Sequence, residues 1–253
     1  MLYYFKILQN KYKTQSAERG AFAMSYEYVA ENLARVKEGI EAAKRRVGRA
    51  DDVSLLAVTK SATDEEVLKL LQCGVGMIGE NRALLFSHRV ELARENGYSP
   101  EAHVIGTLQT NKVRTVIDRV SCIQSLDSEA LAREIEKQAA KRQINVRVLI
   151  EVNSGREENK GGVMPEDTEA FYETVKKYPH LDVVGLMTMG PNCEDPEEYR
   201  PYFRETRALF DKIAAGGGFG KHPILSMGMS GSYEIAVEEG ATMVRVGSNL
   251  FKK

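Results

Sequence analysis

The stretch V-S-L-L-A-V-T-K-S-A-T-D-E-E-V-L-K-L-L-Q (53–72) decides how this chain is read. Its opening run, Val53–Thr59, is apolar and rich in branched side chains, the composition of a buried strand. After a short loop, Asp64–Gln72 turns charged, with apolar residues at helical spacing. Strand, loop and amphipathic helix form the repeating unit of a parallel sheet.

The same unit recurs in both directions from that stretch. Upstream, Tyr26 to Val47 carries Val29, Leu33, Val36, Ile40 and Ala43 at three- and four-residue spacing, a helix pattern. Downstream, apolar runs stand at Gly76–Ile78, Ala102–Ile105, Cys122–Leu126, Val146–Val152, Val183–Met189, Ile224–Met229 and Met243–Val246. Amphipathic, charged stretches separate them: Arg82–Asn96, Thr110–Asp118, Ser128–Arg142, Glu166–Tyr178, Pro196–Ala215 and Tyr233–Glu239. The alternation predicts a single α/β domain, a (β/α)8 barrel of the TIM type over residues 24–253. Such barrels usually run to about 250 residues, and this chain has 253. An open doubly wound sheet is the runner-up, weakened because no G-x-G-x-x-G follows the first run. The pattern continues to the last residues and leaves no room for a second domain. Met24-Ser25 opens the helical region and reads as the native start. Residues 1–23 then read as a non-native or disordered extension, or as a tail that packs on the barrel.

Composition excludes several classes of function. Lys+Arg total 35 against Asp+Glu 36, so nothing pulls the chain toward nucleic acid or an anionic membrane. No apolar run reaches the about 18 residues of a membrane helix. The 3 cysteines are scattered, which argues against a disulfide framework and a zinc site and suits a cytoplasmic protein. No His/Cys/Asp/Glu set has metal-ligand spacing.

In a barrel, functional groups gather where strands end. The first run ends in Lys60, which by period two shares a face with Leu56 and Val58. If that face points inward, an ammonium sits at an apolar mouth, where burial would make it an amine nucleophile. A lysine leaving the sheet into solvent is the other reading. In Met243-Val244-Arg245-Val246-Gly247, Arg245 is a cation inside a core-like strand and needs an acceptor, either a ligand or a structural glutamate. The turns Ser226–Ser232 and Gly247-Ser248-Asn249 are small and polar. Ser230, Gly231, Gly247 and Ser248 therefore make a candidate phosphate cradle after strands seven and eight, although helix capping gives the same residues. Asn81 closes the second run. His103, within the third, reads from position alone as a core histidine. Two glycine-rich loops, 153–162 and 216–220, stand out. The second reads as a helix-to-strand connection on the opposite rim.

Together, A-V-T-K (57–60), I-G-E-N (78–81), H-V-I-G-T-L-Q-T-N-K (103–112), N-S-G-R-E-E-N-K-G-G (153–162), G-L-M-T-M-G (185–190), L-S-M-G-M-S (225–230) and V-R-V-G-S (244–248) resemble the pyridoxal phosphate homeostasis protein family. That family is related to the barrel domain of alanine racemase, and the resemblance runs from about Met24 to Phe251. It implies that pyridoxal 5′-phosphate (PLP) is the cofactor, held as a covalent aldimine on Lys60. Asn81 would lie near the ring's phenolic oxygen, and Ser230, Gly247 and Ser248 at the phosphate. Arg245 would face the pyridine nitrogen, with Met227 and His103 lining the ring. The sequence departs from the family pattern at Ala102, at Arg82-Ala83-Leu84 and at Gln124, which leaves the shape of the pocket rim open.

The resemblance implies a non-enzymatic protein of intracellular PLP homeostasis, with PLP-dependent apo-enzymes as partners, and a pocket complete within one chain suits a monomer. An arginine opposite the pyridine nitrogen weakens the electron sink that most such catalysis needs. A weak amino-acid racemase using Lys60 as one base is the alternative. A phosphate-sugar-binding barrel without a chromophore is the third reading.

Overall fold

The computed structural model describes residues 26–253, so the expectation for residues 1–23 lies outside the described residues. Eight strands form: β1 Ser54–Val58, β2 Met77–Glu80, β3 Glu101–Val104, β4 Cys122–Leu126, β5 Val146–Val152, β6 Leu181–Thr188, β7 Ile224–Ser226 and β8 Met243–Val246. They close into a barrel in chain order, every pair parallel, with β8 on β1 in the register Ser54↔Met243 to Ala57↔Val246. Closure excludes the open doubly wound sheet and leaves no exposed strand edge.

The helices are α1 Glu27–Arg46, α2 Asp64–Gln72, α3 Ala83–Glu95, α4 Val113–Val116, α5 Glu129–Arg142, α6 Thr168–Val175, α7 Arg200–Ala215, α8 Tyr233–Glu238 and α9 Ser248–Phe251. Local chemistry starts some of them firmly. At α2, the Thr63 hydroxyl accepts from the Glu66 N–H at 3.3 Å, and the Glu66 carboxylate accepts from the Thr63 N–H at 2.7 Å, a complete capping box. Others begin less regularly. The stretch expected to be helical over Thr110–Asp118 is a 3-10 turn, Thr110–Lys112, followed by the single turn of α4. Its V-R-T-V-I run is dense in β-branched side chains, which favour helix weakly. The run expected to reach Met229 stops as a strand at Ser226. Gly228 then takes φ +87°, and the chain turns toward α8.

Alternation along each strand sorts the core into two layers. Leu56, Val58, Cys122, Leu149, Val184, Met187, Ile224 and Met243 cluster inside the barrel. Ala57, Ile78, Val104, Ile123, Val148, Ile150, Leu186 and Val244 belong to the larger cluster between the strands and the helices. The register of β5 on β6 slips between Val148↔Val183 and Leu149↔Gly185, a bulge that sits on Gly185. A Cβ there would lie 1.8 Å from the Ile224 carbonyl oxygen, so only glycine fits. α1 packs against α8 and α9. Its Asn32 amide donates to the carbonyls of Leu250 at 3.2 Å and Lys252 at 2.8 Å, fastening the end of the chain. No helix among the described residues is long and apolar enough to cross a membrane.

Candidate functional site

A cleft of about 1070 Å³ opens at the C-terminal ends of the strands. Its walls come from the first residues beyond β1 (Lys60, Ser61), from Asn81 and Arg82 after β2, and from Gly106 and Thr107 after β3. Glu151 of β5, Met189 after β6, and the turns after β7 and β8 complete it. A smaller hollow of about 380 Å³, lined by Lys37, Glu41, Val53 and Gly74–Gly76, lies at the opposite rim, away from the strand ends.

Six of the eight residues singled out in the sequence meet in this cleft: Lys60, Asn81, Ser230, Arg245, Gly247 and Ser248. Lys60 follows β1 on the face of Leu56 and Val58, and that face does point into the barrel. The burial considered for it is not met, because Lys60 is exposed. Its ammonium stands at the mouth and not in the apolar interior.

His103 and Met227 are not among the residues that line the cleft. His103 faces inward at 0% exposure but lies deeper, where its Nδ1 is 2.9 Å from Gln124 Nε2. Met227, also at 0% exposure, follows the inward-facing Ser226 and so packs into the layer under the helices.

Arg245 is buried, and it is held by the barrel and not by a glutamate at hydrogen-bond distance. Nη2 donates to the Thr188 carbonyl at 2.8 Å and Nη1 to Ser226 Oγ at 2.9 Å. From there the bonds run in one direction through the interior. Ser226 Oγ donates to Gln124 Oε1 at 2.7 Å, and Gln124 Nε2 donates to His103 Nδ1. His103 Nε2 lies 3.6 Å from the Glu101 carboxylate at the far end. This order requires Nδ1 to be an acceptor, so the imidazole is neutral with its proton on Nε2. Burial, which pushes the His103 pKa down, favours the same state. Burial also lowers the Arg245 pKa to about 10, so the guanidinium remains a cation at neutral pH.

The turns after β7 and β8 lock together through Ser230. Its Oγ accepts from the N–H groups of Gly247 at 3.2 Å and Asn249 at 3.4 Å, and Asn249 Nδ2 donates to its carbonyl at 2.8 Å. The Gly247 amide is therefore turned onto Ser230, which leaves the Ser230 O–H and the groups of exposed Ser248 to face a ligand. Gly247 serves by its size: a Cβ would stand 3.1 Å from the Val58 carbonyl.

Sequence reasoning missed Glu151. It is 6% exposed and lines the cleft. Burial first, then the charge of Asp127, push its pKa up to about 7, and Arg245 opposes them. The signal was a lone carboxylate within the Val146–Val152 run, two residues beyond inward-facing Leu149. The loop after it folds back: Val163 N–H donates to the Glu151 carbonyl at 2.7 Å, and Asn153 Nδ2 donates to the Glu157 carbonyl at 2.9 Å. Among the described residues no group of three or more His, Cys, Asp or Glu is placed to hold a metal.

The chain is similar to several known proteins. The family model for the alanine racemase N-terminal domain matches residues 32–253. A protein of Aquifex aeolicus called pyridoxal phosphate homeostasis protein is 44% identical over 222 residues, covering 87% of this chain and 96% of that one. A crystal structure of a Bifidobacterium adolescentis protein superposes with a TM-score of 0.84 at 36% identity, over 89% of this chain and 95% of the other. PipY of Synechococcus elongatus, solved with PLP bound, gives a TM-score of 0.76 at 26% identity, over 88% and 99% of the two chains.

Proposed function

This chain belongs to the pyridoxal phosphate homeostasis protein family, built on the alanine racemase N-terminal barrel, and from that premise we propose that it holds PLP in its C-terminal cleft as a Schiff base on Lys60. The observation that carries the reading is the meeting, in one cleft, of an exposed lysine amine, a barrel-held guanidinium and a hydroxyl-rich double turn. These groups fit the cofactor's three polar ends. Lys60 Nζ stands exposed at the mouth, where an aldehyde can reach it. The Ser230 O–H and the groups of Ser248 suit the phosphate, and the Gly247 backbone leaves room for it. Asn81 offers an amide toward the phenolic oxygen.

When bound, the cofactor supplies an electrophilic carbon joined to an electron-withdrawing ring. Arg245 decides how far that ring can draw electrons. A guanidinium donates N–H bonds and accepts none, so facing the pyridine nitrogen it keeps that atom unprotonated. The sink is thereby weakened, which favours retention and delivery of PLP over turnover. The chain acts in PLP homeostasis inside the cytoplasm, as a monomer, handing cofactor to PLP-dependent apo-enzymes. Proton exchange at the α-carbon of alanine and serine in D₂O tests this. The expected rate equals that of free PLP, and exchange at enzymatic rates would establish a racemase instead.

A further inference from the structure

One acidic side chain in the cleft has no part in holding the cofactor. Glu151 projects inward from β5 and is 6% exposed, and among the described residues its carboxylate accepts no hydrogen bond and forms no ion pair. Buried carboxylates are normally paired or hydrogen-bonded, because taking a charge out of water is costly. The neighbouring charges do not satisfy it. Asp127, at the end of β4, repels it more strongly than Arg245 attracts it, and both terminal nitrogens of Arg245 bond Ser226 and Thr188. Lys60 stands across the ring, since β1 and β5 are opposite in an eight-stranded barrel. Arg82 and Lys252 also line the cleft, beyond β2 and at the chain end.

The space beside Glu151 is open. At about 1070 Å³ the cleft reaches the upper end of small-molecule sites, roughly 300–1,000 Å³. The lysine, the double turn and Arg245 lie on the β1, β7 and β8 side. The other half is walled by Ile105, Thr107 and Met189, with Glu151 at its base. Apolar Ile105 and Met189 beside one unpaired carboxylate match methylenes ending in a positive charge.

We propose that this half of the cleft is a subsite for a small aliphatic amine in its ammonium form, with Glu151 as the residue that recognises it. An α-carboxylate would meet the Glu151 charge, so the same feature disfavours amino acids. The assignment rests on the cofactor reading only for what fills the other half.

Protein loaded with PLP and fixed by borohydride reduction is titrated calorimetrically with butylamine and with butyrate, four-carbon probes of opposite charge. Butylamine is expected to bind at least about ten-fold more tightly than butyrate. Glu151→Gln should lower butylamine affinity by about ten-fold without weakening butyrate, with the butylamine affinity of Glu151→Asp in between. Equal butylamine affinity in the wild type and the Gln variant, preferential binding of butyrate, or no binding of either probe would overturn the subsite. If reduction leaves no cofactor on Lys60, the cofactor reading has failed separately. The titration then runs on unloaded protein, where dependence on Glu151 still supports the subsite and its absence still overturns it.

Discussion

At the residue scale, the site depends on how side chains inside the barrel hold one another. Gln124 joins Ser226, and through it Arg245, to His103, and all four are buried. Gln124→Leu removes a donor and an acceptor: buried His103 Nδ1 loses its partner, and the Ser226 hydroxyl loses its acceptor while still accepting from Arg245. The expected cost is about 1–3 kcal/mol in denaturant unfolding. The absorbance of bound PLP should also shift, because Arg245 loses its fixed orientation; Gln124→Glu, which keeps the acceptor, should restore part of the spectrum. Position in the sequence marked Lys60 and Arg245, since each stands where an apolar strand alternation meets a charge. Depth was not legible. Period two says that His103 faces inward, but not that it lies below the cleft floor. For Met227 the signal was present, because inward Ser226 sends the next residue toward the helices. Only the true end of β7 makes that parity decisive.

At the element scale, strands and long helices could be read from the sequence because their burial is dictated by composition. Cys122–Leu126, Val146–Val152 and Met243–Val246 occupy the expected residues, as does Asp64–Gln72. Short elements could not, since their geometry answers to neighbours. The bulge opposite β5 is one such feature: nothing around Gly185 in the sequence announces that its α-carbon faces a carbonyl of β7. Gly185→Ala drives a methyl into the Ile224 backbone, which cannot move without breaking the β6–β7 ladder. A loss of at least about 3 kcal/mol in chemical unfolding is expected, well above the usual single-substitution effect. Unfolding within about 0.5 kcal/mol of the wild type would show that the bulge relaxes.

At the scale of the whole molecule, closing the ring brings the first strand, the last strand and the loops between them to one mouth, and that closure also buries Glu151. Its pKa rises from 4.5 to about 7 on folding, so the folded state binds this proton more tightly than the unfolded chain. The associated stability is complete below pH about 4.5 and is lost as pH climbs through about 7, up to about 3 kcal/mol. Urea unfolding at pH 5 and pH 8 should therefore differ more for the wild type than for Glu151→Gln. Equal pH dependence in the two would mean that the carboxylate is solvated in solution. The claim on which the account turns is that Lys60 carries PLP. Purified protein loaded with PLP is reduced with borohydride, digested, and its peptides are weighed by mass spectrometry. A phosphopyridoxyl adduct on Lys60, absent from Lys60→Ala, is the predicted result. An unmodified Lys60, with no visible absorbance before reduction, would contradict the account and leave a barrel that binds only a phosphate ligand.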